Sequence, residues 1–317
     1  MLTKKASKMF VLKVIFLTAV LAGSLQAQVA PDRSGVGQAE FRSAELTIEN
    51  VYRLPNELPA QASANAAADL SALGVRNDSG HVDTRGGRWA SLLLAKPLLP
   101  GQGVGNGLSW ADLGRAAPKN NAEISDAASQ AFRGYLEANS HPLRIDLNEL
   151  AGPGKVTTYQ DGSLIQIYLP RVFDGVPVRG SYLTGTINHG NLTLFGTNHW
   201  GDINTSTVPG ISQDAAGLAV QAYVEPYPVD GAWGKTELLL VPVAKGRNVG
   251  NVPVGKGFDY RLAWVIRPAF DGDQRRFEAL VDAHTGEMLS FEDTNQYAEV
   301  KGGVYPVTND GIVPDGV

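Results

Sequence analysis

The strongest constraint in this 317-residue chain is a pattern that occurs twice: a capping serine, an apolar helical stripe, then short apolar runs broken by glycine turns. Ser125 precedes Asp126, and Ala128, Ala131, Phe132, Tyr135 and Leu136 fall at i, i+3, i+4, i+7 and i+8, one face of a helix. Ser212 and Asp214 open the second copy, with Ala215, Leu218, Ala219, Ala222 and Tyr223 at the same offsets. The helices close at His141-Pro142 and at Pro226, and the two units begin 87 residues apart.

The runs behind each helix read as antiparallel meanders. In the first, Leu164–Leu169 and Val172-Phe173 lead to Asp174-Gly175, Val176–Leu183 and Thr184–Ile187 follow, and Asn188-His-Gly-Asn191 leads into Leu192–Phe195. In the second, Glu237–Val243, Tyr260–Ile266 and Phe277–Val281 are strands, and Asp282–Gly286 is the turn before Met288–Phe291. Gly175 and Gly286 supply the positive φ that tight hairpins need. A helix across a curved antiparallel sheet buries one face of each element, so the expected class is α+β with two such units.

Residues 28–120 carry less pattern. Ala44–Tyr52 alternates in part and Trp89–Leu94 is a short apolar run, so two strands are expected; Ala60–Ala72 could be a helix or a loop. Gly101–Gly107 looks like a phosphate-binding loop, but G-x-G-x-x-G spacing from Gly101 puts Asn106 at the last glycine and no helix follows at once.

The first 27 residues read as a secretory signal. Lys4, Lys5, Lys8 and Lys13 form a basic start, Val14–Gly23 is apolar, and Ala27 ends a small-residue cleavage region. The apolar run has ten residues, half of the roughly 20 that a spanning helix requires. Export to the periplasm or medium is expected, with no membrane contact after cleavage. Without the signal the charge is −9, from 23 basic and 32 acidic residues. That balance, with no basic run, disfavours nucleic acid as a partner.

Chemistry-bearing residues are sparse. There is no cysteine, which excludes disulfides, thiolate metal sites and cysteine nucleophiles. The five histidines (His81, His141, His189, His199 and His284) include no H-E-x-x-H pair. His189 and His199 are ten residues apart, at a hairpin turn and a strand end, and His284 sits in the Asp282–Glu287 turn; hydrogen bonding, not metal ligation, is expected of all three. No G-x-S-x-G elbow occurs. Glu292 and Asp293 are adjacent on a strand end and point to opposite faces, so they cannot share a substrate. Trp200 and Trp264 read as sheet core or edge rather than ligand-stacking residues. No catalytic, cofactor-binding or metal-ligating residue is assigned.

Two sets of residues carry a family resemblance. Asp174-Gly-Val-Pro-Val178, Gly180-Ser181 and His189-Gly-Asn-Leu192 resemble the N-terminal propeptide module of fungalysin and thermolysin precursors. Tyr260-Arg-Leu-Ala-Trp-Val265 and Val281-Asp-Ala-His-Thr-Gly-Glu287 resemble the PepSY module that follows it. Order and spacing match over residues 121–296. The resemblance implies two cystatin-like units at 121–207 and 208–296 and the propeptide role in a secreted zinc metalloendopeptidase precursor. Such a propeptide assists folding of the protease domain and covers its cleft, in cis or in trans; zinc belongs only to that linked domain, whose H-E-x-x-H this chain lacks. Residues 297–317 read as the opening of the protease domain, cut short by a truncated gene, a fragment or a divided reading frame. The alternative is a stand-alone secreted binding module or inhibitor acting in trans.

Overall fold

Short strands β1 (Phe41–Arg42) and β2 (Tyr52–Arg53) precede helix α1 (Ala60–Leu73) and strands β3 (Gly80–Asp83) and β4 (Arg88–Pro97) in the computed structural model, which describes residues 35–246 and 252–295. Helix α2 (Asn121–Leu143) leads into β5 (Lys155–Tyr159), β6 (Leu164–Phe173), β7 (Val176–Asn188) and β8 (Asn191–Asn198). Helix α3 (Gln213–Tyr223) leads into β9 (Gly231–Ala232), β10 (Glu237–Ala244), β11 (Phe258–Ile266), β12 (Pro268–Ala269), β13 (Phe277–Asp282) and β14 (Met288–Asp293). The class is α+β. The signal region and the 297–317 junction lie outside the described residues.

Each unit is a helix behind an antiparallel meander. Strands β5 to β8 pair in chain order, and so do β10, β11, β13 and β14. The N-terminal segment then extends both sheets at equivalent places. Strand β4 pairs with β8, carrying β3 and β2 with it, while β1 pairs with β14. The sheets join where β10 runs parallel to β7 through Leu240 and Val178.

Turn chemistry explains the hairpins. Asp174 and Gly175 take φ 47° and 80°, and His189 and Gly190 take 46° and 86°, the left-handed pair that matches strand twist. At the β13–β14 turn, Asp282 Oδ1 accepts hydrogen bonds from the amides of His284 and Thr285.

Two apolar layers hold the helices. Under α1 and α2, Leu70, Trp89, Phe132, Leu136 and Phe195 are fully enclosed. Under α3, Ala216 and Val220 cover Phe277 and Phe291, whose rings stack at 4.8 Å with Phe270 edge-on.

The structure corrects several local expectations. Helix α2 begins five residues earlier than the Ser125 cap implies: Asn120 is the cap, its side chain accepting from the Glu123 amide. The helix also runs past His141-Pro142 to Leu143, with Asn139 leaving helical geometry at φ −128° to accommodate the proline. Ser212 does cap α3, accepting from the Ala215 amide. The buried stripe of α3 is rotated by one residue, to Ala216, Ala219, Val220, Tyr223 and Val224, leaving Leu218 72% exposed. Both stripes have helical spacing, and the one chosen buries two valines. Residues 44–52 are not one strand: Ala44–Leu46 is a 3-10 turn and only Tyr52–Arg53 pairs, because Leu46 turns into the second sheet's outer face.

The cap assignment is testable. Asn120→Ala should cost about 1 kcal/mol of stability. Ser125→Ala, inside the helix, should change it by less than about 0.5 kcal/mol. Urea midpoints of the two variants decide between the starts.

Candidate interaction surfaces

Strand β6 places Ile165, Ile167 and Leu169 in the first core, and the next residue of that parity is a charged one, Arg171. Its guanidinium, 1% exposed, is fully engaged. Nε donates to Glu149 at 2.6 Å, Nη1 to the Tyr260 hydroxyl at 3.1 Å and Nη2 to the Gly201 carbonyl at 2.8 Å. The cation also lies 4.6 Å from the Trp200 ring and 5.7 Å from the Tyr260 ring.

Tyr260 comes from β11 of the second unit, so this cluster is the junction between units. Its hydroxyl accepts from the Gly201 amide at 2.9 Å and donates to the His199 carbonyl at 3.1 Å. Burial pushes both the Tyr260 phenol and the Glu149 carboxyl above their ordinary ranges; for Glu149, Arg171 offsets part of that rise. A second tie is ionic: Glu278 of β13 meets Arg179 of β7 at 2.6 Å and Arg267 at 3.2 Å. A third comes from buried Arg85, which donates to the carbonyls of Glu49 and Gly257. Together they fix the relative position of the units.

The two sheets differ on the side away from their helices. In the second unit that side is roofed by the chain itself. Leu46 sits 5% exposed over Val241, Val243, Ala263, Val265, Leu280 and Leu289. Arg42 clips the roof, donating to the Leu46 carbonyl and pairing with Glu292, and Glu45 pairs with Arg261.

In the first unit the corresponding side carries cross-strand rows: Lys155, Tyr168, Thr184 and Gly196; Thr157, Gln166, Thr186, Leu194 and Leu93; and Pro170, Tyr182 and Asn198. Lys155 is the one charged residue among them. Tyr168 and Tyr182 pack at 4.9 Å, and Leu93 is 63% exposed. Burial and then Tyr182 raise the Tyr168 phenol; burial, Asp83 and Tyr182 do the same to nearby Tyr52.

The histidines are dispersed. His189 occupies its turn with Nδ1 2.7 Å from Asn188, and His199 lies edge-on to Phe258, where burial holds its imidazole below the usual range. His81 faces Ser91 on β3, His141 is in the last turn of α2, and His284 is in the β13–β14 turn. Among the described residues no group of three or more His, Asp or Glu stands close enough to hold a metal ion. Trp200 is core beneath Arg171, and half-buried Trp264 donates to the Ile211 carbonyl. Glu292 pairs with Arg42 while Asp293 accepts from the Arg276 amide, so the two carboxylates serve separate contacts. Among the described residues no helix is long and apolar enough to cross a membrane.

Sequence reading had not singled out Arg171 or the tyrosine face. The signal for the first was a charge on the apolar parity of β6; for the second, an almost uncharged outward parity on β6, β7 and β8.

No family model matches this chain, and no curated protein matches it. Among solved structures it is similar to the Bacillus megaterium YpeB C-terminal domain, at 14% identity over 76% of this chain and 99% of that one. The TM-score is 0.29, and a likeness of that size supports no conclusion about fold or function.

Proposed function

We propose that the chain is the exported propeptide part of a secreted zinc metalloendopeptidase precursor, serving its protease domain as intramolecular chaperone and inhibitor. The observation that carries this reading is the placement of the resembling segments. Asp174–Val178 and His189–Leu192 form successive hairpins of the first unit, and Tyr260–Val265 and Val281–Glu287 form strands and turn of the second. The buried Arg171–Tyr260 junction supports it further. A chaperone for another domain acts as a template, and a body whose parts are already fixed loses less entropy on binding. The role asks for a shaped surface rather than reacting groups.

The chain from Gln28 onward, added to the matching mature protease, is expected to inhibit peptide hydrolysis at micromolar concentration or below and to raise the yield of protease refolded from denaturant. If it does neither, the propeptide reading fails and the free-standing module takes its place. An in-frame H-E-x-x-H in the coding sequence downstream of Val317 would independently favour attachment in cis.

A further inference from the structure

We propose that the helix-free face of the first unit's sheet is a self-association surface, on which two copies of this chain pack face to face across a two-fold axis. The inference goes beyond the propeptide reading and does not depend on it.

The comparison between units motivates it. Both sheets have one side under a helix and one side away from it. On the second unit the far side is covered by polypeptide, with Leu46 buried and Arg42 and Glu45 clipping the cover down. On the first unit the described chain supplies no such cover, although Leu93, Leu194, Tyr168 and Tyr182 stand there. Leu93 and Tyr168 are exposed and Leu194 and Tyr182 half-buried, and tyrosine and leucine sharing one face are interface composition rather than the ordinary scatter of surface residues.

Charge selects the occupant. From Gln28 onward the chain carries −9, so most approaches of one copy to another are repulsive. The cross-strand rows of this face hold no carboxylate and one cation, Lys155. Here a second copy can approach without meeting its own sign. A two-fold contact must be self-complementary, and flat rows of Thr, Tyr and Leu, packing as two sheets about 10 Å apart, meet that demand.

Area sets the strength. Five strands spaced about 4.8 Å apart, each contributing roughly six residues, present about 500 Å² per copy. A pair therefore buries on the order of 1,000 Å², the lower bound for a specific contact, which implies a weak dimer with Kd in the micromolar range or above.

Sedimentation velocity of the chain from Gln28 onward, from about 1 µM to about 1 mM, tests this. The expected result is a concentration-dependent shift from monomer to dimer. Leu93→Asp appears twice in a two-fold interface, removing two apolar contacts and opposing two charges. It should raise the association midpoint on the order of 100-fold, with circular dichroism and melting unchanged. Thr186→Glu, in the same row, should do likewise and stands in if Leu93→Asp misfolds. Leu218→Asp, on the exposed side of α3, should leave association intact. A chain that is monomeric throughout, or that dimerises equally well with both face variants, overturns the proposal.

Discussion

Arg171→Leu is expected to lower stability by about 3–5 kcal/mol at neutral pH, and to split one unfolding transition into two. The substitution removes a 1%-exposed cation from a largely buried cluster, leaving the Glu149 carboxylate, itself 16% exposed, and the Gly201 carbonyl without the guanidinium donors they now have. The pH dependence identifies the cause. The Glu149 carboxyl is already raised by burial, with Arg171 opposing the rise. Removing Arg171 raises it further. A carboxyl raised in the folded state contributes stability below its unfolded value and loses it as pH rises through the folded value. The variant's deficit should therefore shrink on acidification from pH 8 toward the carboxylate range. A deficit independent of pH would locate the damage in packing, including the lost contact with Trp200, rather than in an orphaned charge. A single coincident transition for both units would show that the remaining ties suffice to keep them joined.

A second large effect is expected at the contact between α2 and β7. Phe132→Ala should cost about 3–5 kcal/mol, because the ring is fully buried and its removal leaves a cavity. Gly185 sits under that ring: a Cβ there would lie 2.5–3.1 Å from three atoms of it. Gly185→Ala alone should thus cost about 1–3 kcal/mol by overpacking. In the double variant the new methyl occupies part of the vacated space. Its cost should fall short of the sum by about 1 kcal/mol, measured as a double-mutant cycle in urea. Strict additivity would mean that the two positions do not share the space assigned to them.

The parts of this fold legible in the sequence are those fixed by local chemistry. Asp-Gly, His-Gly and the Asp282–Gly286 turn each encode a backbone conformation that few other residues adopt cheaply, so the strands between them could be read within a few residues. The helices were legible as elements but not in register. Asn120 and Ser125 are both competent caps, and two stripes on α3 share the same spacing; only the core decides between such choices. Leu46 was illegible for a different reason. It lies in a partly alternating run, but its partners Leu280 and Leu289 are more than 200 residues away, and no local signal reports them. Arg171 breaks an apolar parity, which marks it as unusual; what it serves depends on Glu149, Gly201 and Tyr260, each from a different part of the chain.

The path of the first described strands has a consequence for when this protein can fold. Phe41 pairs with Phe291, and Leu92 pairs with Phe195. An edge strand emitted at the start of synthesis thus has its partner almost at the end of the described chain. Contacts of that sequence separation are slow to form, because a long loop must close before any pairing rewards it. Neither sheet can reach its full width during the early part of translation, and the second cannot until residues 288–293 have been made. A chain built this way keeps its second sheet open until residues 288–293 have been made, a state compatible with threading across a membrane, and that sheet closes only once β1 and β14 are both present.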